Sequence, residues 1–470
     1  MAVQAQNSDF SKGSVSGNIL RLAVPMTVAQ LINVLYSVVD RMYIGHIPDA
    51  AANALTGVGL TFPILSIITA FANLFGMGGA PLFSIERGKG NDDRARLIMG
   101  NTFAMLVSSG IVLTAVILCF KKPLLYAFGA SDVTFPYADS YLTIYLCGSL
   151  FVMIGLGMNN FINAQGFGRK GMMTVLLGAV INLLLDPLFI FVLGMGVQGA
   201  ALATVIAQFA SALWAVSFLT GKKAVLRLQF RAMRVRLRLV GKIAALGFSG
   251  FIMAITNSAV QIVCNATLQA FGGDLYVGVM TILNSVREVV STPISGLTSA
   301  SQPVIGYNYG AEEYRRVRSG IKFMSILCIL YTTAVWLVLF LFPQVFIGIF
   351  SSEPALREAA VPSMHIYFFG FFMMSLQNAG QSAAVALGRS KQAVFFSLLR
   401  KAVIVIPLTL LLPNLFSLGV NGVFLAEPIS NFIGGGACYL TMMLTIWREM
   451  VRREREQKQR AVSPPAVLPE

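Results

Sequence analysis

Charge is what this sequence has least of. Only 12% of its 470 residues are Asp, Glu, Lys or Arg, about half the share of about 25% usual in soluble globular domains. So thin a supply cannot wet the surface of a 50.7 kDa globule. With 56% hydrophobic residues, the chain is also too apolar to remain disordered. Histidine is nearly missing, with two residues, and no His/Glu metal pattern exists. The five cysteines, Cys119, Cys147, Cys264, Cys328 and Cys438, contain no Cys-x-x-Cys pair and no Cys/His ligand spacing. A structural metal site is therefore not expected, and the cysteines read as small buried apolar side chains. There is no Gly-x-x-x-x-Gly-Lys-Ser/Thr loop, so ATP is not the energy source. No nucleophile, acid and base order suggests an intramembrane enzyme, and no catalytic residue or cofactor is expected.

What is plentiful is long apolar runs. A helix needs about 20 apolar residues to cross ~30 Å of hydrocarbon. Twelve blocks reach that length, at roughly 17–40, 55–82, 97–119, 136–163, 171–193, 197–219, 242–268, 276–305, 320–342, 359–386, 393–413 and 420–447. The strand-length alternation of a membrane β-barrel is absent from runs such as Ile111–Cys119. The expectation is an all-α integral membrane protein of twelve transmembrane helices. The first block is too long for a cleavable signal peptide and lacks a small-residue cleavage site, so none is expected.

The net charge of +15 is distributed unevenly. The N-terminus, the loops after even-numbered blocks and the C-terminus hold 28 Lys and Arg. The loops after odd-numbered blocks hold four, Arg41, Lys121, Lys122 and Arg357. Cytoplasmic loops attract bases, so both termini are expected in the cytoplasm of a cell-membrane protein. The densest run, Lys222, Lys223, Arg227, Arg231, Arg234, Arg236, Arg238 and Lys242, lacks the aromatic platform that nucleic acid would need. Anionic lipid headgroups are its expected partners. The basic tail after Trp447 reads as a short solvated helix fraying at Ser463-Pro464-Pro465.

The two halves of the chain repeat each other. Gly196-Val197-Gln198-Gly199 recurs as Gly419-Val420-Asn421-Gly422, at an offset of 223. Gly168-Arg169-Lys170 recurs at Gly388, and Gly90-Asn91-Asp92-Asp93 at Gly310-Ala311-Glu312-Glu313, both at 220. A six-span unit is even, so both copies enter the membrane from one side, related by an axis along its normal. The expected organisation is an N-terminal lobe (1–219), a basic cytoplasmic linker (220–241), a C-terminal lobe (242–447) and a basic tail (448–470). Two such lobes related by a pseudo-two-fold axis would leave a cleft that rocking exposes to alternate sides, which suits a secondary transporter.

Several segments carry a family resemblance. Asn159 to Gly166, the turn Gly168-Arg169-Lys170, Asn182 to Asp186-Pro187, Gly196 to Gln208, and Val24-Pro25 with Val39 to Gly45 together resemble the multidrug and toxic compound extrusion (MATE) family. The resemblance covers nearly the whole chain. It implies two six-helix lobes and export of organic, often cationic and amphipathic compounds against a proton or sodium gradient. Acids late in the first span and on the fifth are similar to the DinF-like branch. The sodium-coupled NorM-like pattern has further acids in the seventh and tenth spans, where this chain has Gln261, Asn265, His365, Gln377 and Asn378. In a MATE-like first helix, Pro25 would be a hinge, because it removes one helix hydrogen bond. The rival within transport is a flippase of lipid-linked oligosaccharide. The chain is expected to act as a monomer on small organic molecules, among membrane lipids and without nucleic acid.

Ionisable groups inside spans are rare and usually face the bundle interior. Asp40 lies 19 residues after Arg21, or about 28 Å along a helix, and Asp186 lies about 24 Å beyond Lys170. Both reach the outer half of the first lobe. Asn182 shares a helix face with Asp186, Tyr36 precedes Asp40 by one turn, and Thr204 descends to a similar depth. These five are expected to form one polar chamber, where neighbouring carboxyls could hold a proton or, with Asn182 and Thr204, a sodium ion. Asn160, Asn163, Phe161, Met173, Arg287, Glu288 and Glu427 are the candidates for a substrate cleft. Arg287, Glu288 and Glu427 read equally well as structural pairs, with Lys401 as a further partner, and Arg400 is expected to snorkel. His365 reads as an interfacial group.

Overall fold

The computed structural model describes residues 10–47, 51–350 and 353–462. Among them there is no β-strand. Helices α1 (Val15–Ile44), α2 (Ala51–Gly88), α3 (Asp92–Ala127), α4 (Phe135–Ala164), α5 (Gly168–Pro187) and α6 (Gly196–Thr220) cover the first half. Each coincides with one of the first six apolar blocks. A π-helical turn, Leu188–Val192, extends α5 beyond Pro187, where the proline has no N–H to continue an α-helical ladder.

The next helical stretch, Leu237–Gly310, is 74 residues long. It is broken at Gly273, whose φ of 67° and ψ of −165° are open essentially only to a residue without a Cβ. The halves are α7 (residues 237–272) and α8 (residues 274–310). The sequence led us to expect a loop between residues 268 and 276, and one glycine does that work. Then follow α9 (Tyr314–Leu341), the short α10 (Pro343–Phe350), and α11 (Pro354–Tyr367) with α12 (Phe371–Ala386), a pair bent by 49°. Helices α13 (Ser390–Leu398) and α14 (Ile406–Leu411) join through a π-helical stretch. So do α15 (Val420–Ser430), α16 (Gly436–Met442) and α17 (Arg448–Val462). Ten helical stretches are long and apolar enough to cross a membrane, and the bent pair makes an eleventh. The break at Gly273 divides one of the ten in two, so the described residues supply twelve spans. The expected tail helix is α17, but it is not simply solvated: Met450 is buried and Glu454 pairs with Arg318 of α9 at 2.6 Å; Ser463-Pro464-Pro465 and the side chain of Arg41 lie outside the described residues.

The described residues form two compact units, 21–84 with 91–251, and 10–20 with 85–90 and 252 onward. The basic stretch 220–241 and the start of α7 therefore pack with the first unit. Fully buried Asn101 donates through Nδ2 to Ala232 O and Arg234 O, both at 3.1 Å, and accepts from Arg236 N at 2.7 Å. Gln165 bonds both backbone groups of Leu226. Each polar side chain thus satisfies linker backbone that would otherwise be buried without partners.

Within the first unit, α4 is sandwiched between α3 and α6. Gly148 lies where a Cβ would collide with Val205 on α6, the close approach that small residues permit between membrane helices. Asp139 on α4 pairs with Lys121 on α3 at 2.7 Å. In the second unit the end of α2 crosses the end of α8 at Gly88 and Gly310. A Cβ on either would sit 1.9 Å from the other helix's carbonyl oxygen. Leu35, Leu184, Val192 and Ile262 are each 65% or more exposed, the surface a lipid-facing helix presents. Cys119 and Cys147 are exposed as well, whereas Cys264, Cys328 and Cys438 are buried. Position inside a span does not tell which face a residue occupies, so the expected burial fails for two of the five.

Candidate functional site

Three helices of the first unit bring short polar stripes together. On α1, Asn33, Tyr36 and Asp40 follow one another at helical spacing. On α5, Thr174, Gly178, Asn182 and Asp186 are four apart, and on α6, Thr204, Gln208 and Ser211 share a face. Asn182 and Asp186 are buried, at 2% and 1% exposure. Asn182 Nδ2 donates to Asp186 Oδ1 at 3.2 Å and to Thr204 Oγ1 at 3.3 Å. Thr204 in turn donates to Ala200 O at 3.0 Å. Asp40 lies close enough to Asp186 for their carboxyl groups to interact, and Tyr36 lies near both and shares a cavity wall with Gln208.

The structure thus brings all five expected chamber residues together. It adds Tyr141 and Tyr145 of α4, stacked at 6.2 Å between ring centroids, with Tyr141 facing both aspartates. A small cavity adjoins the cluster and shares Tyr36, Asn182 and Thr204 with it. Asn33, Asn159, Gln208 and Ser211 also line it. These residues escaped the sequence reading, although the spacing of Asn33 from Tyr36 and of Gln208 from Thr204 was visible there. Two neighbouring carboxyls, one of them buried, repel when both are charged. The arrangement can therefore hold one small cation, a proton or a metal ion.

The first-lobe cleft candidates are placed differently. Phe161 is fully buried, edge-on to Phe83 at 5.4 Å, so it is core packing with no face open to a ligand. Asn160 donates to Leu156 O in its own helix at 3.0 Å. Asn163 is 7% exposed against Gly171. Its Oδ1 has no hydrogen-bond partner among the described residues. Met173 is 40% exposed on α5. None of these four lines the cavity. Pro25 is buried in an unbroken α1, against Gly168 at the start of α5.

In the second unit Glu427, on α15, gathers three bases. Arg287 Nη2 and Arg400 Nη2 each lie 3.0 Å from its Oε1. Lys401 Nζ lies 3.1 Å and 3.2 Å from its two oxygens. Arg400 does not snorkel; at 4% exposure it turns inward to this carboxylate. Arg287 also donates to Tyr367 Oη at 2.8 Å, and Tyr367 donates to Asn284 Oδ1 at 3.3 Å. Glu288 is exposed on the same cavity wall. His365 bonds Phe340 O through Nε2 at 3.0 Å.

A helical membrane protein whose interior holds charged, cavity-lining clusters has the parts of a solute transporter. A family model described as MatE matches twice, over residues 25–188 and 250–411, so the repeat inferred from the glycine motifs is a duplicated family module. The chain belongs to the MATE family, a family of transporters and not of enzymes. It is 23% identical over 440 residues to the multidrug export protein MepA of Staphylococcus saprophyticus, covering 93% of this chain and 95% of that one. The Staphylococcus aureus MepA is 24% identical, with the same coverage. Among solved structures, MATE in the bent conformation superposes with a TM-score of 0.89 at 19% identity, covering 96% of this chain and 99% of the other. A MOP superfamily transporter from Pyrococcus furiosus superposes at 0.88, also 19% identical, with the same coverage. These structures share the fold.

Proposed function

We propose that this protein exports organic, cationic or amphipathic drugs by antiport, powered by a proton entering the Asp40–Asp186 pair. The observation that carries the reading is the close approach of those two carboxyl groups, with Asp186 buried and bonded through Asn182 to Thr204. The hydrogen-bond pattern favours a proton over sodium. Thr204 gives its proton to Ala200 O, so both its oxygen and Asp186 accept, and both call for the Nδ2 of Asn182. Sodium would need the Oδ1 of Asn182 turned inward, at the expense of both bonds. A proton on either aspartate instead creates a donor that its neighbour accepts, relieving the repulsion. The change in charge alters the packing of α1 against α5 and α6, with Pro25 as the flexible point of α1, and alternating access follows.

The family match and the drug-export relatives support this reading over a flippase of lipid-linked oligosaccharide. The excess of bases on one set of loops supports a cell-membrane location with both termini cytoplasmic. The absence of acids at the seventh- and tenth-span positions supports the DinF-like assignment. The test is efflux of a cationic dye from proteoliposomes under separately imposed proton and sodium gradients. A proton gradient alone should drive transport, and Asp40→Asn or Asp186→Asn should abolish it. Sodium-driven efflux in the absence of a proton gradient, or undiminished proton-driven efflux by both variants, would overturn the proposal.

A further inference from the structure

The second-unit cavity is larger, and its charge is of the opposite sign to that of the first-unit cluster. Three bases, Arg400 and Lys401 buried and Arg287 22% exposed, meet one buried carboxylate, Glu427. Two of them, Arg287 and Arg400, are guanidiniums, which stay charged in proteins. The cluster thus holds more basic groups than the one carboxylate they bond, and the other carboxylate on the wall, Glu288, is exposed. A buried charge without a counter-charge of its own is strongly disfavoured, and Arg400 and Lys401 share Glu427 with Arg287, so the cluster has room for a further anion. Unused donors point the same way. Arg400 is 4% exposed, and its Nε has no hydrogen-bond partner among the described residues. The Ser291 hydroxyl on the cavity wall also lacks one. Beside these groups, Met253, Met280, Met374 and Val260 supply apolar wall, suited to bodies of varied shape.

We infer that this cavity binds the oxyanion group of an amphipathic ligand, with Arg400, Arg287 and Lys401 as its donors. Glu427 is the resident anion that holds the bases in place while no ligand is there. The oxyanion belongs either to a free organic carboxylate or phosphate, or to the headgroup of an anionic lipid; the chemistry recognised is the same. The inference stands apart from cation coupling in the first unit, because it concerns equilibrium binding without a gradient.

The test uses the full-length protein in detergent at neutral pH and titrates 2-naphthoate against its neutral isostere 2-naphthamide by calorimetry. Charge-assisted hydrogen bonds are each worth enough for a tenfold or greater preference, so naphthoate should bind at least tenfold more tightly. Arg400→Gln or Lys401→Gln should bring the two ligands to within about threefold of each other. Equal affinities in the unaltered protein would overturn the inference, and that comparison needs no variant to fold. Repeating the titration in nanodiscs with and without phosphatidylglycerol separates the sources. Displacement of naphthoate by that lipid identifies a headgroup as the native ligand, and an unchanged affinity identifies a free amphipathic anion.

Discussion

Neutralising Glu427 by Glu427→Gln should destabilise the second unit severely. The substitution keeps the side chain's size but removes the one carboxylate bonded to Arg287, Arg400 and Lys401 at 3.0–3.2 Å. Removing one partner of a buried ion pair costs about 3–5 kcal/mol, because the other charge is stranded. Three cations lose their partner here, yet the losses do not triple. The Arg287 side chain, 22% exposed, can recruit water, and all three bases share the same carboxylate. The loss expected is therefore about that of one buried pair, ~3–5 kcal/mol. Denaturant unfolding in detergent micelles, monitored by the tryptophans, would read it. The double variant Glu427→Gln with Arg400→Met should recover part of the loss, because the stranded guanidinium is gone and the coupling between the two sites is favourable. A loss below about 1 kcal/mol, or strictly additive effects in the double variant, would refute the claim that these bases depend on Glu427.

Other consequences are equally specific. Asn182→Leu removes the donor shared by Asp186 and Thr204; proton-driven dye efflux from proteoliposomes should fall at least tenfold while folding yield in detergent holds. Asn101→Ala strips three hydrogen bonds from linker backbone, a buried one at Ala232 and partly buried ones at Arg234 and Arg236. At ~1–3 kcal/mol for each stranded group, the stretch 220–241 should become sensitive to limited trypsin digestion under conditions where the unaltered protein resists. Gly310→Ala would push a methyl to within 1.9 Å of Ile85 O; monodisperse protein on size exclusion should be largely lost, whereas Gly241→Ala, which meets nothing within 4 Å, should behave normally.

The chamber of the first unit could be read ahead of the structure because depth along a helix follows from counting residues. Asp40, Asp186 and Thr204 were each placed by their distance from a basic or glycine-marked loop, and they meet. What counting does not supply is rotation about the helix axis. Phe161 and Asn160 sit at the expected depth, yet Phe161 turns into the core and Asn160 bonds its own helix. Arg400 was expected at an interface for the same reason; its depth was right for a span, but the partner that draws it inward lies 27 residues away on another helix.

Sequence alone determined that this is a twelve-span helical membrane protein built from a repeated module, because the bilayer sets the length of apolar runs and punishes charge within them. It also singled out the few acids inside the spans. Tertiary structure alone decided which of them share a site. Asp40 is brought to Asp186 across 146 residues, and Glu427 to three bases, by the rotation and crossing of helices. Those depend on close side-chain packing at positions such as Gly148, Gly88 and Gly310, and no local propensity records it.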